Sequence, residues 1–188
     1  MSQNVAMQAH EHTEHAQHAA HSGDPFISRI AISVAVLAVL AAVSGSLETL
    51  EGGRALTDTS EAVLAQDRAT DAWSEYQADS LKKHIYGIAA DGGGINAERY
   101  LKSVKENTDK QAGIRKDAQN DEADRNRLLA ESAAHENRHH WLTGSATLFE
   151  IGIAMSTVAI ITRRHWLWFS ALAFGAVGLV LLGSAYLA

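Results

Sequence analysis

The sequence contains no cysteine and a single proline, and both absences narrow what the protein can be. Without cysteine the chain has no disulfide framework, no thiolate metal site and no thiol nucleophile. The one proline, Pro25, leaves the rest of the chain free of the residue that most strongly interrupts helices. There is also no clustered basic face of the kind that binds nucleic acid, so we expect no nucleic-acid partner. Gly92-Gly93-Gly94 lacks the lysine and the preceding strand of a phosphate-binding loop.

Apolar residues are concentrated in three runs, 30–47, 141–162 and 166–187. The last two are each about long enough to cross the ~30 Å hydrocarbon core of a bilayer, and only Arg163-Arg164-His165 separates them. Since backbone groups in lipid must be satisfied within their own segment, each run is predicted to be a helix. We therefore predict an all-α, polytopic membrane protein with three transmembrane helices. A long helical hairpin, a coiled-coil-like stalk, is predicted between the first and second of them.

Four parts follow from this pattern. Residues 1–23 form a tail rich in His and Glu, residues 24–50 the first transmembrane helix, residues 51–140 the extramembrane hairpin with a loop near 91–95, and residues 141–188 a transmembrane hairpin. Gly52-Gly53 is expected to end or loosen the first helix, and Asp58-Thr59-Ser60-Glu61 has capping-box spacing for a new one. The apolar stripe of the stalk is thin, so we expect a homo-oligomer or a larger membrane complex to cover it.

Basic residues set the predicted orientation. Arg29 precedes the first run and Arg163 and Arg164 fill the turn between the last two, so three spans place them on one side, predicted to be cytoplasmic. The expected location is a bacterial inner membrane, with the lipid bilayer as partner, the N-terminus cytoplasmic and the stalk periplasmic. A stripe of small residues in the first run is predicted to pack against another helix: Ala31, Ala35, Ala38, Ala42 and Gly45.

Two segments resemble a known family. Residues 69–78 read Ala-x-Asp-x-Trp-x-x-Tyr-Gln-Ala within the longer stretch 64–86, and residues 162–168 read Thr-Arg-Arg-His-Trp-Leu-Trp. Both are similar to segments of the bacterial membrane family described as domain of unknown function 4337. The resemblance runs from about Asp24 to the C-terminus, and it implies this order of parts. It implies no catalytic or binding residues.

His135-Glu136-Asn137-Arg138-His139 fits the H-E-x-x-H pattern of zinc peptidases. A peptidase also needs a third ligand and a cleft, which a slender stalk does not supply. We therefore interpret the pattern as a coincidence at a basic helix end near the headgroups, and we predict that the protein is not an enzyme.

The N-terminal tail carries histidines at positions that favour weak chelation. Imidazoles three residues apart on a nascent helix bind Zn²⁺, Cu²⁺ or Ni²⁺, and carboxylates can complete the shell. The alternative is a solvated tail whose charge rises as the pH falls. No other cofactor is expected, and the histidines concerned are His10, His12, His15, His18 and His21.

A polar stripe descends the second apolar run, formed by Thr143, Thr147, Glu150 and Thr157. Glu150 is about 13 Å along a helix from Trp141, near the bilayer midplane, where an ionisable group is costly. It either stabilises helix packing through a hydrogen bond to Ser44, Ser46 or a neighbouring helix, or lines a cation or proton path. The leading hypothesis is a non-enzymatic oligomeric scaffold or accessory subunit with a helical stalk. An ion- or proton-conducting oligomer is the alternative, and a metal- or pH-responsive membrane sensor is the lesser one.

Overall fold

The structure, a computed structural model, describes residues 25–187, which form three helices joined by two short turns. Helix α1 spans Pro25–Asp91, α2 spans Ala97–Thr162 and α3 spans His165–Ser184. The predicted all-α class is confirmed for this part of the chain, and each helix is long and apolar enough to cross a membrane. The N-terminal histidines lie outside the described residues.

Helix α1 differs from the sequence prediction because it continues without interruption through Gly52-Gly53. A glycine costs only about 1 kcal/mol in a helix interior, and tertiary contacts override such a preference. Gly52 makes such a contact: a Cβ atom there would lie 3.2 Å from Nδ1 of His139. The expected capping box at 58–61 is likewise inside the helix, and the Thr59 hydroxyl lies 2.8 Å from that of Ser132.

The two turns are built differently. The first uses Gly93 and Gly94 at φ 71° and 101°, in the left-handed region that suits glycine. It lies at the predicted loop, and α2 begins directly after Asn96. The second turn places Arg163, a residue with a Cβ atom, at φ 53° and leaves Arg164 extended. Left-handed backbone is uncommon for such a residue, and here it allows α3 to start with only two residues between it and the end of α2.

The described residues divide into two compact units. The first, here the apolar unit, contains residues 25–55 and 133–187. Its core joins the start of α1 to the last third of α2, with Phe149 and Ile30 fully buried. The buried face of α1 repeats at helical spacing and consists of Ile27, Ile30, Ala31, Val34, Leu37, Ala38, Ala41 and Ser44.

Small and hydroxyl side chains bring the three helices of the apolar unit together. Ser145 donates to the backbone carbonyl of Gly178 at 2.9 Å, and its hydroxyl lies 3.3 Å from that of Ser44. All three helices thus meet at one buried polar link. Helix α3 contributes its smallest residues to this packing, because its buried positions are Ala171, Gly175 and Gly178.

The second unit, here the polar unit, contains residues 56–132. Its two helical segments contact one another through few apolar side chains, mainly alanines such as Ala62, Ala65 and Ala118. Elsewhere along these two segments, polar side chains make the contacts between them. Trp73 Nε1 donates to Glu122 at 2.8 Å, and further contacts join Arg68 to Asp121, Lys83 to Gln111, and Gln111 to the carbonyl of Tyr76. This unit therefore buries little apolar surface of its own.

Candidate functional site

A buried carboxylate lies at one end of the apolar unit. Glu51, on α1 just beyond its apolar run, is 2% exposed. Its Oε2 lies 2.5 Å from Nδ1 of His135 and 3.9 Å from Arg138, and its Oε1 accepts from Arg54 at 3.2 Å. A carboxylate removed from water is costly unless it is paired and hydrogen-bonded, and these three side chains provide that pairing.

The H-E-x-x-H segment lies in this contact between α1 and α2. His135 contacts the Glu51 side chain, and His139 donates from Nδ1 to the backbone carbonyl of Glu48 at 3.1 Å. Glu136 is exposed and faces His140 at 3.9 Å. The i, i+4 spacing that would serve a metal here presents both histidines to α1. Within residues 25–187 no group of three or more His, Asp or Glu side chains has the arrangement of a metal site. That the segment is not enzymatic stays a prediction.

The predicted polar stripe begins at the same place. The Thr143 hydroxyl lies 2.8 Å from Oε1 of Glu48, to which it donates, and it also contacts the carbonyl of His139. We name the neighbouring side chains at this end of the apolar unit the Glu51 cluster: Glu48, Glu51, Arg54, His135, Arg138, His139 and Thr143. Thr147 and Thr157 donate to backbone carbonyls four residues earlier, so their hydroxyls are satisfied within α2. The structure therefore connects the first member of the stripe to a group of titratable residues on both helices.

Glu150 differs from the threonines of the stripe. It is exposed on the surface of the apolar unit, and among the described residues no hydrogen bond or ion pair is found for it. Ser44, one partner considered from the sequence, is instead buried against Ser145. Glu150 is thus the acidic residue that the single chain leaves unpartnered along the apolar run of α2.

The small-residue stripe of α1 is buried only in part. Ala31 and Ala38 are buried in the core, Ala35 and Gly45 are partly buried, and Ala42 is exposed. Close packing against α1 instead involves glycines of the other helices, because Cβ atoms at Gly152 and Gly175 would lie 3.2 and 2.6 Å from Leu37.

Aromatic contacts bring the basic residues to one end of the apolar unit. The ring of Phe26 lies 4.0 Å from that of His165, and Trp168 Nε1 donates to Ser33 at 3.2 Å. The start of α1, with Arg29, therefore lies beside the turn that contains Arg163 and Arg164. All three arginines are exposed. The Glu51 cluster lies at the opposite end of the apolar unit.

Sequence reasoning missed Glu48 and Glu51, which form the α1 side of the cluster. A signal was present, because the two acidic residues stand three apart just after an apolar run and His135 and His139 stand four apart just before one. Both spacings place side chains on one helix face. Pairing the two faces requires knowledge that α1 and α2 are antiparallel neighbours at this level.

Comparison with protein families identifies the chain. The model of one family, described as domain of unknown function (DUF4337), matches residues 26–188. The chain belongs to this family. Comparison of this DUF4337 chain with curated proteins and with solved structures gives no match. The resemblance proposed from residues 64–86 and 162–168 is thereby confirmed, and both segments lie within the match.

Proposed function

We propose that the protein is a non-enzymatic membrane scaffold or accessory subunit that works as an oligomer. In this proposal the three apolar segments span a bilayer, and residues 56–132 form a helical hairpin that acts as a coiled-coil-like stalk. The contacts between the two segments of the polar unit support the hairpin. Its alanine-rich seam supports the oligomer, because so little buried apolar surface offsets only part of the ordering entropy of two long helices.

Exposed Glu150 is the observation that carries the proposal. Nine residues separate it from Trp141, so it lies about 13 Å along α2, near the centre of a membrane span. An acidic side chain at the bilayer centre costs about 2.5–3.5 kcal/mol even on insertion scales, and such residues usually face a partner or a cavity. Since the described chain supplies no partner, a neighbouring molecule must cover this face. A second copy brings an equivalent Glu150 and Thr147 to the same depth.

Single cysteines test this interface without background, because the native chain has none. Thr147→Cys lies on the Glu150 face and should form disulfide-linked dimers in lipid nanodiscs under mild oxidation. Val177→Cys, exposed on α3, is the matched control and should cross-link less. A mass measurement on the same nanodiscs should give more than one copy per particle. Monomeric particles, together with equal cross-linking of the two variants, would refute the proposal.

The charge distribution of the apolar unit supports a bacterial inner-membrane orientation with the N-terminus cytoplasmic and the stalk periplasmic. Arg29, Arg163 and Arg164 lie at one end, whereas the opposite end mixes Arg54 and Arg138 with acidic residues. The end richer in arginine stays in the cytoplasm under the positive-inside rule. Asn96→Cys, in the glycine turn, should react with a membrane-impermeant maleimide on intact cells. If that cysteine reacts only after the cells are lysed, the stalk is cytoplasmic and the proposed orientation is wrong.

An ion- or proton-conducting oligomer is the second candidate, favoured by one observation. Thr143 contacts Glu48, so the stripe that contains Glu150 continues into the titratable Glu51 cluster. Glu150→Gln separates the two candidates, since it keeps the size of the side chain and removes its ability to ionise. Loss of ion flux in proteoliposomes with the oligomer intact indicates conduction. Loss of the oligomer itself indicates that Glu150 serves assembly.

A further inference from the structure

The turn end of the polar unit is basic and unusually apolar at its surface. Residues 81–105, here the tip, contain five basic and two acidic residues, a net charge of +3. The rest of the polar unit contains thirteen acidic and six basic residues, a net charge of −7. The sign of charge therefore reverses within one unit, and the reversal coincides with the glycine turn.

Exposed aliphatic side chains concentrate in the same place. The tip holds five of the nine large hydrophobic residues that the polar unit exposes, although it contains only a third of its residues. Ile95 stands in the glycine turn with its side chain fully exposed, at 100%. The other four are Leu81, Ile85, Ile88 and Leu101. The first three recur at i, i+4 and i+7, so they share one face of α1.

Two tyrosines mark the boundary of this surface. The rings of Tyr86 and Tyr100 stack across the two helical segments with centroids 6.2 Å apart and planes 17° apart. Tyrosine, which joins an apolar ring to a polar hydroxyl, is enriched at membrane–water interfaces. Two of the basic residues share their charge with acidic neighbours, because Lys82 contacts Asp79 and Lys102 contacts Glu106. Three others have no ion pair among the described residues: Lys83, which donates to the Gln111 side chain at 3.1 Å, Arg99 and Lys105.

We propose that the tip docks onto the surface of an anionic lipid bilayer. Lysine and arginine near such a surface are attracted to its headgroups, while isoleucine and leucine side chains enter the boundary between headgroups and acyl chains. The glycines at 93 and 94 bring Ile95 to the end of the unit without bulky neighbours. An acidic protein surface would use the basic residues, but it gives no reason for a single isoleucine at the apex of a turn. The inference rests on the proposed hairpin, and it does not depend on the oligomer.

Binding of full-length protein in phosphatidylcholine nanodiscs to separate vesicles tests the proposal, because a nanodisc leaves both of its sides accessible. Vesicles with about a third phosphatidylglycerol should float the nanodiscs at pH 8 and low salt, and vesicles of pure phosphatidylcholine should not. At pH 8 an imidazole of ordinary pKa is uncharged, so this pH limits any contribution of histidine to binding. Added salt should weaken the binding, since exposed charges are screened.

Two variants carry matched controls. Replacing Lys83, Arg99 and Lys105 together by glutamine should weaken partitioning by about 100-fold, at about fivefold for each basic residue. The control replaces Lys110, Arg115 and Lys116, which are exposed outside the tip. Ile95→Ser should weaken binding several-fold, whereas Leu64→Ser, exposed outside the tip, should not.

Three results would overturn the proposal: equal binding to both kinds of vesicle, equal losses from the tip and control variants, or no vesicle binding at all. In the last case, photo-cross-linking from position 95 to a protein in cells would assign the surface to a protein partner instead. The mass of the nanodisc particles is measured independently. If the oligomer is intact and the vesicles do not bind, the proposed docking of the tip is refuted and the proposed oligomer is not.

Discussion

Gly178→Ala should destabilise the protein, because α3 packs against α2 without room for another methyl group. A Cβ atom at Gly178 would lie 2.9 Å from Cε1 of Phe149 and 3.1 and 3.2 Å from two further ring atoms. Phe149 is fully buried, so its ring has little room to turn away. The backbone of Gly178 is also held by the hydrogen bond from Ser145.

The expected magnitude follows from two opposing terms. Alanine is favoured over glycine in a helix interior by up to about 1 kcal/mol, whereas overpacking a filled core costs about 1–3 kcal/mol. Gly45→Ala, in the interior of α1 with nothing within 4 Å of the new atom, measures the first term without the second. The two variants should differ by about 1–3 kcal/mol, or by roughly 3–9 °C in melting temperature for a chain of this size.

Thermal unfolding in one detergent or nanodisc, with the two variants side by side, measures this difference. Adding Phe149→Leu should recover part of the loss at Gly178, because the ring atoms nearest to the new methyl group are then absent. The double-mutant cycle should therefore show a favourable coupling. A melting temperature of Gly178→Ala at or above that of Gly45→Ala would refute the tight contact between α2 and α3.

Three further outcomes follow from single contacts. Glu51→Gln should lower the free energy of unfolding by about 1.5–3 kcal/mol, since it removes the carboxylate from the buried contact with His135. An unchanged melting temperature would show that this contact does not stabilise the fold. Ser156→Ala should leave stability unchanged or raise it by about 1 kcal/mol, because that buried hydroxyl has no hydrogen-bond partner in the described structure. A clear fall in melting temperature would show that the hydroxyl does make a stabilising hydrogen bond. The hydrogen bond to Asp79 and the charge of Asp79 raise the pKa of Lys82. The small contribution of this pair to folding stability is therefore present below pH 10.5 and is lost as the pH rises through the folded-state pKa of Lys82. An NMR titration should show that pKa fall in Asp79→Asn, and no fall would exclude the pair.

The helices could be predicted from the sequence because their signals are local. Apolar runs of about 20 residues and the glycine triplet each predict their element without knowledge of a neighbour. The uninterrupted passage of α1 through Gly52-Gly53 could not be predicted this way. Gly52 lies against the ring of His139, 87 positions later in the chain, and that contact is visible only when α1 and α2 are placed side by side.

The same limit applies to the Glu51 cluster. Glu51 and His135 are 84 residues apart, and their contact depends on the register of two antiparallel helices. Register is set by the buried face of α1 and by Phe149, and apolar residues occur at so many positions of these runs that the sequence permits several registers. The stripe around Glu150 is a spacing within one helix, and such a spacing is local enough to be predicted from the sequence. Whether that stripe faces the core or the surface depends on packing.

The contrast between Glu51 and Glu150 bears on both candidate functions. Glu51 obtains two arginines and a histidine within one chain and is enclosed by them, so its burial is complete before any partner binds. Glu150 has no such side chains among the described residues and stands on the surface of an apolar segment. In the proposed oligomer, the cost of placing Glu150 in lipid is borne by the isolated chain and removed on assembly, which would make Glu150 a source of association free energy. In such an oligomer, equivalent copies related by symmetry would meet this requirement with no further component, because each would present Thr147 and Glu150 at the same depth.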